Sequence, residues 1–124
     1  MTSGRETFGA FIRREREAKV LGLREMAKMI GMSPTYLSMI ERDEFSPPAE
    51  VRVSKIAEII GCDADELLAL AGKVSSDLTQ IIRKYPREMA NFLRSTRGMS
   101  QEEMSEVLKL VADRMKERNV TNSN

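Results

Sequence analysis

Within GMSPTYLSMIER (residues 31–42), Thr35, Ser38, Met39 and Arg42 recur at i, i+3, i+4 and i+7, so in a helix they share one face. Leu37 and Ile40 lie opposite and are the only strong core anchors of the segment. Two hydroxyls, a thioether and a guanidinium make a recognition surface, not a reaction centre. Hydroxyls exchange hydrogen bonds with base edges, an apolar methyl or thioether suits a thymine methyl, and arginine suits a phosphate. Short side chains also let a helix backbone come close to a DNA major groove. Ser33 and Pro34 open this helix, and its unpaired N–H groups favour an anion.

Composition argues against catalysis. The 124 residues include no histidine, one cysteine and seven scattered glycines, which excludes His-based triads and any glycine-rich phosphate loop. A zinc site would need carboxylates almost alone. The reading is therefore a non-enzyme without cofactor or metal. A single cysteine, no apolar leader and no long apolar run predict a cytoplasmic chain with no membrane partner. Cys62 reads as a small hydrophobe rather than a reactive thiol. The net charge is only +1, yet residues 5–28 carry seven basic side chains (Arg5, Arg13, Arg14, Arg16, Lys19, Arg24, Lys28) against four acidic ones, while 43–66 reverse the balance. Arg24, Lys28 and Arg42 are candidate phosphate contacts, with Ser33 at the helix start and Tyr36 at the rim; a packing role serves Tyr36 nearly as well.

The elements that must position these residues are all helical. The apolar spacing predicts helix 1 over about 7–19, with Phe8, Phe11, Ile12 and Ala18 inward. Helix 2 follows Gly22 and carries Leu23, Met26, Ala27 and Ile30 to a stop at Gly31. Helix 3 runs from Pro34 to about Arg42, so helices 2 and 3 with a short glycine-containing turn make a helix-turn-helix. After the DEFSPPAEV loop, helix 4 runs over about 49–60 with Val53, Ile56, Ala57 and Ile60 inward. Asp63 caps helix 5 with Glu66 at N3, and Leu67, Leu68 and Leu70 give it an apolar side. Gly72 marks a boundary, giving a domain over 5–72 and a helical extension over 73–118. In the extension Pro86 opens helix 7, Ser100 and Glu103 form a capping box for helix 8, and the tail NVTNSN is polar enough to fray. The segment 83–97 is basic and could touch flanking DNA. Met104, Val107, Leu108, Val111 and Met115 form one stripe on helix 8, most economically a homodimer contact.

The run LGLREMAKMIGMSPTYLSMIER, then SPP, then KIAEIIGCDADELL, resembles the phage-repressor-like (Xre/Cro-type) helix-turn-helix regulators over roughly residues 6–71. The resemblance implies an all-α, five-helix lambda-repressor-like domain, usually dimeric, with helix 3 as recognition helix. It places Pro34, Thr35, Ser38 and Met39 at base-facing positions, and Arg16 and Glu41 at the positions of an internal ion pair. The chain departs from the family at Val20, where glycine is usual, and at Leu23, where a glutamine often contacts DNA. The implied function is a sequence-specific DNA-binding transcription regulator, a repressor that binds double-stranded DNA at an inverted-repeat operator as a homodimer. The alternative is an antitoxin-like interaction module that holds a partner protein through its C-terminal helices. The tail also resembles that of regulators controlled by a metallopeptidase partner that clips such helices.

Overall fold

The computed structural model describes residues 6–123, with side chains to residue 120; Arg5 of the basic cluster lies outside them. Among the described residues every element is helical: α1 (Phe8–Ala18), α2 (Leu23–Ile30), α3 (Pro34–Glu41), α4 (Glu50–Ile60), α5 (Ala64–Leu70), α6 (Ser76–Lys84), α7 (Pro86–Ser95) and α8 (Gln101–Ser123). The chain divides into two compact units, one up to Thr79 and one from Gln80 on. Glu50 shows why the first unit runs past Gly72: its carboxylate accepts from the Ser76 N–H at 3.1 Å, which ties the start of α6 to α4.

In the first unit the 3.6-residue period places Ile12, Met26, Ala27, Leu37, Ile40, Val53, Ile56, Ala57, Ile60, Leu67 and Leu68 inside, joined by Phe8, Ile30 and Met32. Burying each of the larger side chains contributes about 1.5–3 kcal/mol. α1 and α2 both pack on α3, and α4 packs on α5. Ala18 is exposed, contrary to the pattern reading, because Arg16 continues the inward line of Phe8 and Ile12 and leaves Ala18 on the far side. Gly9 is required by close approach, since a Cβ there would stand 2.3 Å from the Ile40 carbonyl oxygen. Asp43 uses that approach: its carboxylate accepts from the Gly9 N–H at 3.1 Å and the Thr7 hydroxyl at 2.7 Å, at the positive end of α1.

Five helix ends of this unit close alike. Within two residues of the helix end the backbone turns left-handed, at Val20 (φ 54°), Gly31 (84°), Asp43 (60°), Gly61 (76°) and Gly72 (71°). The next N–H then returns to a carbonyl in the last turn, as Leu21 does to Arg16 at 3.1 Å and Met32 to Ala27 at 3.0 Å. This is the Schellman arrangement, which satisfies the orphan carbonyls. Glycine adopts that backbone freely and aspartate tolerates it, but a β-branched valine does not. Val20 is 91% exposed, so its side chain returns no packing. Val20→Gly is expected to stabilise the protein by about 1 kcal/mol, the strain relieved less the entropy glycine adds to the unfolded chain. Urea unfolding measures this, and an unchanged or lowered midpoint would refute the strain at Val20.

In α8 the Ser100–Glu103 box forms reciprocally, at 3.0 and 3.1 Å. The helix continues to Ser123, so most of the tail that composition reads as frayed is helical. No described side chain from Ser76 to Val120 is buried. None of the described helices is long and apolar enough to cross a membrane.

Candidate nucleic-acid interface

The turn between α2 and α3 explains how α3 is presented. Gly31 ends α2, and the Ser33 Oγ accepts the Tyr36 N–H at 3.1 Å with Pro34 at the first helical position. Arg52 of α4 donates to the Gly31 carbonyl at 3.1 Å and braces the turn. Leu37 and Ile40 are 0% and 1% exposed, which fixes the rotation of α3 about its axis and aims Thr35, Ser38 and Arg42 away from the core.

Those three side chains and Pro34 form one wall of an open groove. The other wall is the start of α2, from Gly22 to Glu25. Two helix N-termini therefore border one concavity, and Arg24 and Arg42 place a cation on each wall. A neighbouring cleft shares Leu23, Ser38 and Arg42 and adds Arg13, Arg16 and Glu41. The arrangement offers hydroxyl donors and acceptors flanked by cations and unpaired N–H groups, which suits an edge-presenting polyanion.

The structure thus brings together Arg24, Pro34, Thr35, Ser38 and Arg42 on that groove. It does not place Lys28, Ser33, Tyr36 or Met39 in its lining. Lys28 is exposed one turn beyond Arg24. Ser33 spends its hydroxyl oxygen on the cap. Tyr36 is half-buried against the core, its ring set edge-on to Phe45 at 5.6 Å. Met39 is half-buried, and its carbonyl accepts the N–H groups of Glu44 (2.8 Å) and Phe45 (3.3 Å). Leu23, at the position where the resemblance leads one to expect glutamine, packs partly against the core and lines both clefts.

Much of the basic excess near α1 is internally paired. Arg14 bonds Glu6 at 2.8 Å and Glu15 at 2.7 Å, which raises the guanidinium and holds the Glu6 carboxyl below its ordinary range. Arg13 reaches Glu17 at 3.4 Å. Arg16 is buried and clamps Glu41 through two bonds, at 2.8 and 2.9 Å, and also donates to the Leu21 carbonyl at 2.9 Å. The Glu41 bonds hold Arg16 more firmly protonated than a free guanidinium. This clamp joins α1, the α1–α2 turn and α3. Lys19, Arg24 and Lys28 form no salt bridge among the described residues. Burial pushes the Cys62 thiol up, helped by Glu15, Glu66 and Asp63, which disfavours the thiolate.

Sequence reasoning did not single out Arg13, Glu44 or Phe45. Arg13 was visible only within the local charge excess, three residues before Arg16. Glu44 and Phe45 sit in a loop whose return onto the end of α3 carries no local signature.

A helix-turn-helix whose second helix is locked to the core on one side and lines an open groove with polar groups on the other defines a class. Residues 9–73 match the helix-turn-helix domain family, and the chain belongs to it. It is similar to an uncharacterized HTH-type transcriptional regulator of Mycobacterium tuberculosis, with 36% identity over 75 residues that cover 60% of this chain and 53% of the relative. It is also similar to the ImmF control region 10 kDa protein of Bacillus phage phi105, with 44% identity over 59 residues, 48% of this chain and 64% of that protein. The chain thus spans about half to two thirds of the length of these curated relatives. Among solved structures, that of the biofilm master regulator SinR in complex with DNA is 29% identical at a TM-score of 0.46, over 50% of this chain and 98% of the other.

Proposed function

We propose that this protein is a sequence-specific DNA-binding transcription regulator, a repressor that occupies an inverted-repeat operator as a homodimer in the cytoplasm. The observation that carries this reading is the groove between the starts of α2 and α3. Thr35, Ser38 and Arg42 face outwards there because Leu37 and Ile40 are buried behind them. Thr35 and Ser38 read bases, Pro34 starts the helix beside them, and Met39 meets a thymine methyl at the helix's far end. Arg24, Lys28 and Arg42 take phosphates, while Ser33 and Tyr36 support the backbone contact. The names of the curated relatives agree with regulation of transcription.

Dimerisation is assigned to α8. Leu108 (61%), Val111 (54%) and Met115 (44%) are exposed, and Met104 and Val107 are only half-buried. A second copy that covers this stripe removes it from water and pairs two recognition helices. The same exposed apolar surface in α7 and α8 suits a regulatory protein partner, which is the second reading.

The test is binding selection from genomic DNA with the full-length protein, followed by titration of Thr35→Ala and Ser38→Ala. Each variant is expected to lose about 1–3 kcal/mol of discrimination between operator and random duplex while its helical content is unchanged. Identical operator preference in both variants would remove these two residues from the base-reading role.

A further inference from the structure

Arg42 lines the groove, yet its guanidinium is already partly engaged within the protein. Nη1 lies 3.0 Å from the Glu44 carboxylate and Nε 3.4 Å from the Ser38 carbonyl. Both side chains of the pair are about half exposed, at 51% and 47%. The carboxylate does not sit on a trailing loop. The Glu44 and Phe45 N–H groups both bond the Met39 carbonyl, and the Phe45 ring rests against Tyr36, so the backbone that carries Glu44 is folded onto α3. The adjacent Asp43 is engaged elsewhere, at the N-terminus of α1. Of the two acids after α3, Glu44 alone is turned to the groove's cation.

We infer that Glu44 is an intramolecular stand-in for a DNA phosphate, which holds Arg42 in the free protein and must be displaced before Arg42 contacts the duplex backbone. The inference rests on the DNA-binding reading above. A carboxylate and a phosphate seek the same charge-assisted contact with a guanidinium and repel each other, so the two compete for Arg42. Arg42 therefore meets DNA already neutralised by the protein, and its contact releases less condensed salt than that of an unpaired arginine. Because phosphates carry no sequence, Glu44 weakens binding to every duplex alike.

The test compares full-length wild type, Glu44→Gln, Arg42→Gln and the double variant on a selected operator duplex and a random duplex, over a series of salt concentrations. Glu44→Gln is expected to tighten both duplexes about three- to fivefold at low salt, the size of an exposed ion pair, and to steepen the salt slope by up to about one charge. In the Arg42→Gln background the same change is expected to do nothing. Unchanged or weakened binding by Glu44→Gln would overturn the inference, as would an equal gain in the Arg42→Gln background, which would mark Glu44 as bulk negative charge. A wild-type protein that bound neither duplex would overturn the DNA-binding reading itself, and this inference with it.

Discussion

Glu41→Ala is expected to destabilise the helix-turn-helix unit by about 3–5 kcal/mol, the range for removal of one partner from a buried ion pair. The Glu41 side chain is 4% exposed and that of Arg16 is 11%, so the pair is largely shielded from water. Arg16 would keep its bond to the Leu21 carbonyl but would leave two donors and a full charge facing a void in the core wall. Small domains hold only about 5–15 kcal/mol in all, so a large part of the stability rests on this one contact between α1 and α3. Urea unfolding followed by helical circular dichroism should show a lower midpoint at constant slope. The double change Arg16→Met with Glu41→Leu should recover most of the loss, because an apolar pair removes the desolvation cost together with the attraction. A loss below about 1 kcal/mol for Glu41→Ala would show that the pair is screened like a surface bridge.

Ending the chain at Thr79 is expected to leave the five-helix unit folded and to lower operator affinity by about 10²–10⁴-fold, the usual gain from linking two binding modules. Among the described residues the buried side chains all lie at or before Leu68, and the Glu50–Ser76 bonds are retained. What is lost is the exposed apolar stripe of α8, and with it the second copy that the proposed function seats there. A symmetric operator presents two half-sites about 34 Å apart, and a lone unit engages one of them. Sedimentation should show the full-length protein as a dimer and the shortened one as a monomer. A shortened chain that stayed dimeric, or a full-length chain that stayed monomeric at high concentration, would remove α8 from the dimer interface.

The sequence by itself determined the elements of the first unit, because the signals for them are local. Ser33-Pro34 starts a helix, Gly31 and Gly61 stop one, and Asp63 caps the next. A 3.6-residue period sorts Met26, Ala27, Ile30, Leu37 and Ile40 inward, and the outward face of α3 follows from those anchors alone. Leu37 and Ile40 are almost fully buried in the structure for the same reason that they stood out in the sequence. Nothing local announced which distant groups would meet. Gly9 gave no sign that the end of α3 passes within contact distance of it, and Asp43 none that its carboxylate would reach back to α1. Val20 stood out in the sequence only as a departure from the glycine usual in the family. The tertiary fold holds it in the left-handed conformation, since Leu21 and α2 are fixed by the core on one side and the Arg16 clamp on the other. Only the folded chain decided that Arg24 and Arg42 would line one groove and that Glu44 would turn back to Arg42. The first depends on the packing of two helices and the second on a turn that folds back onto the end of α3, and spacing along one helix carries no information on either.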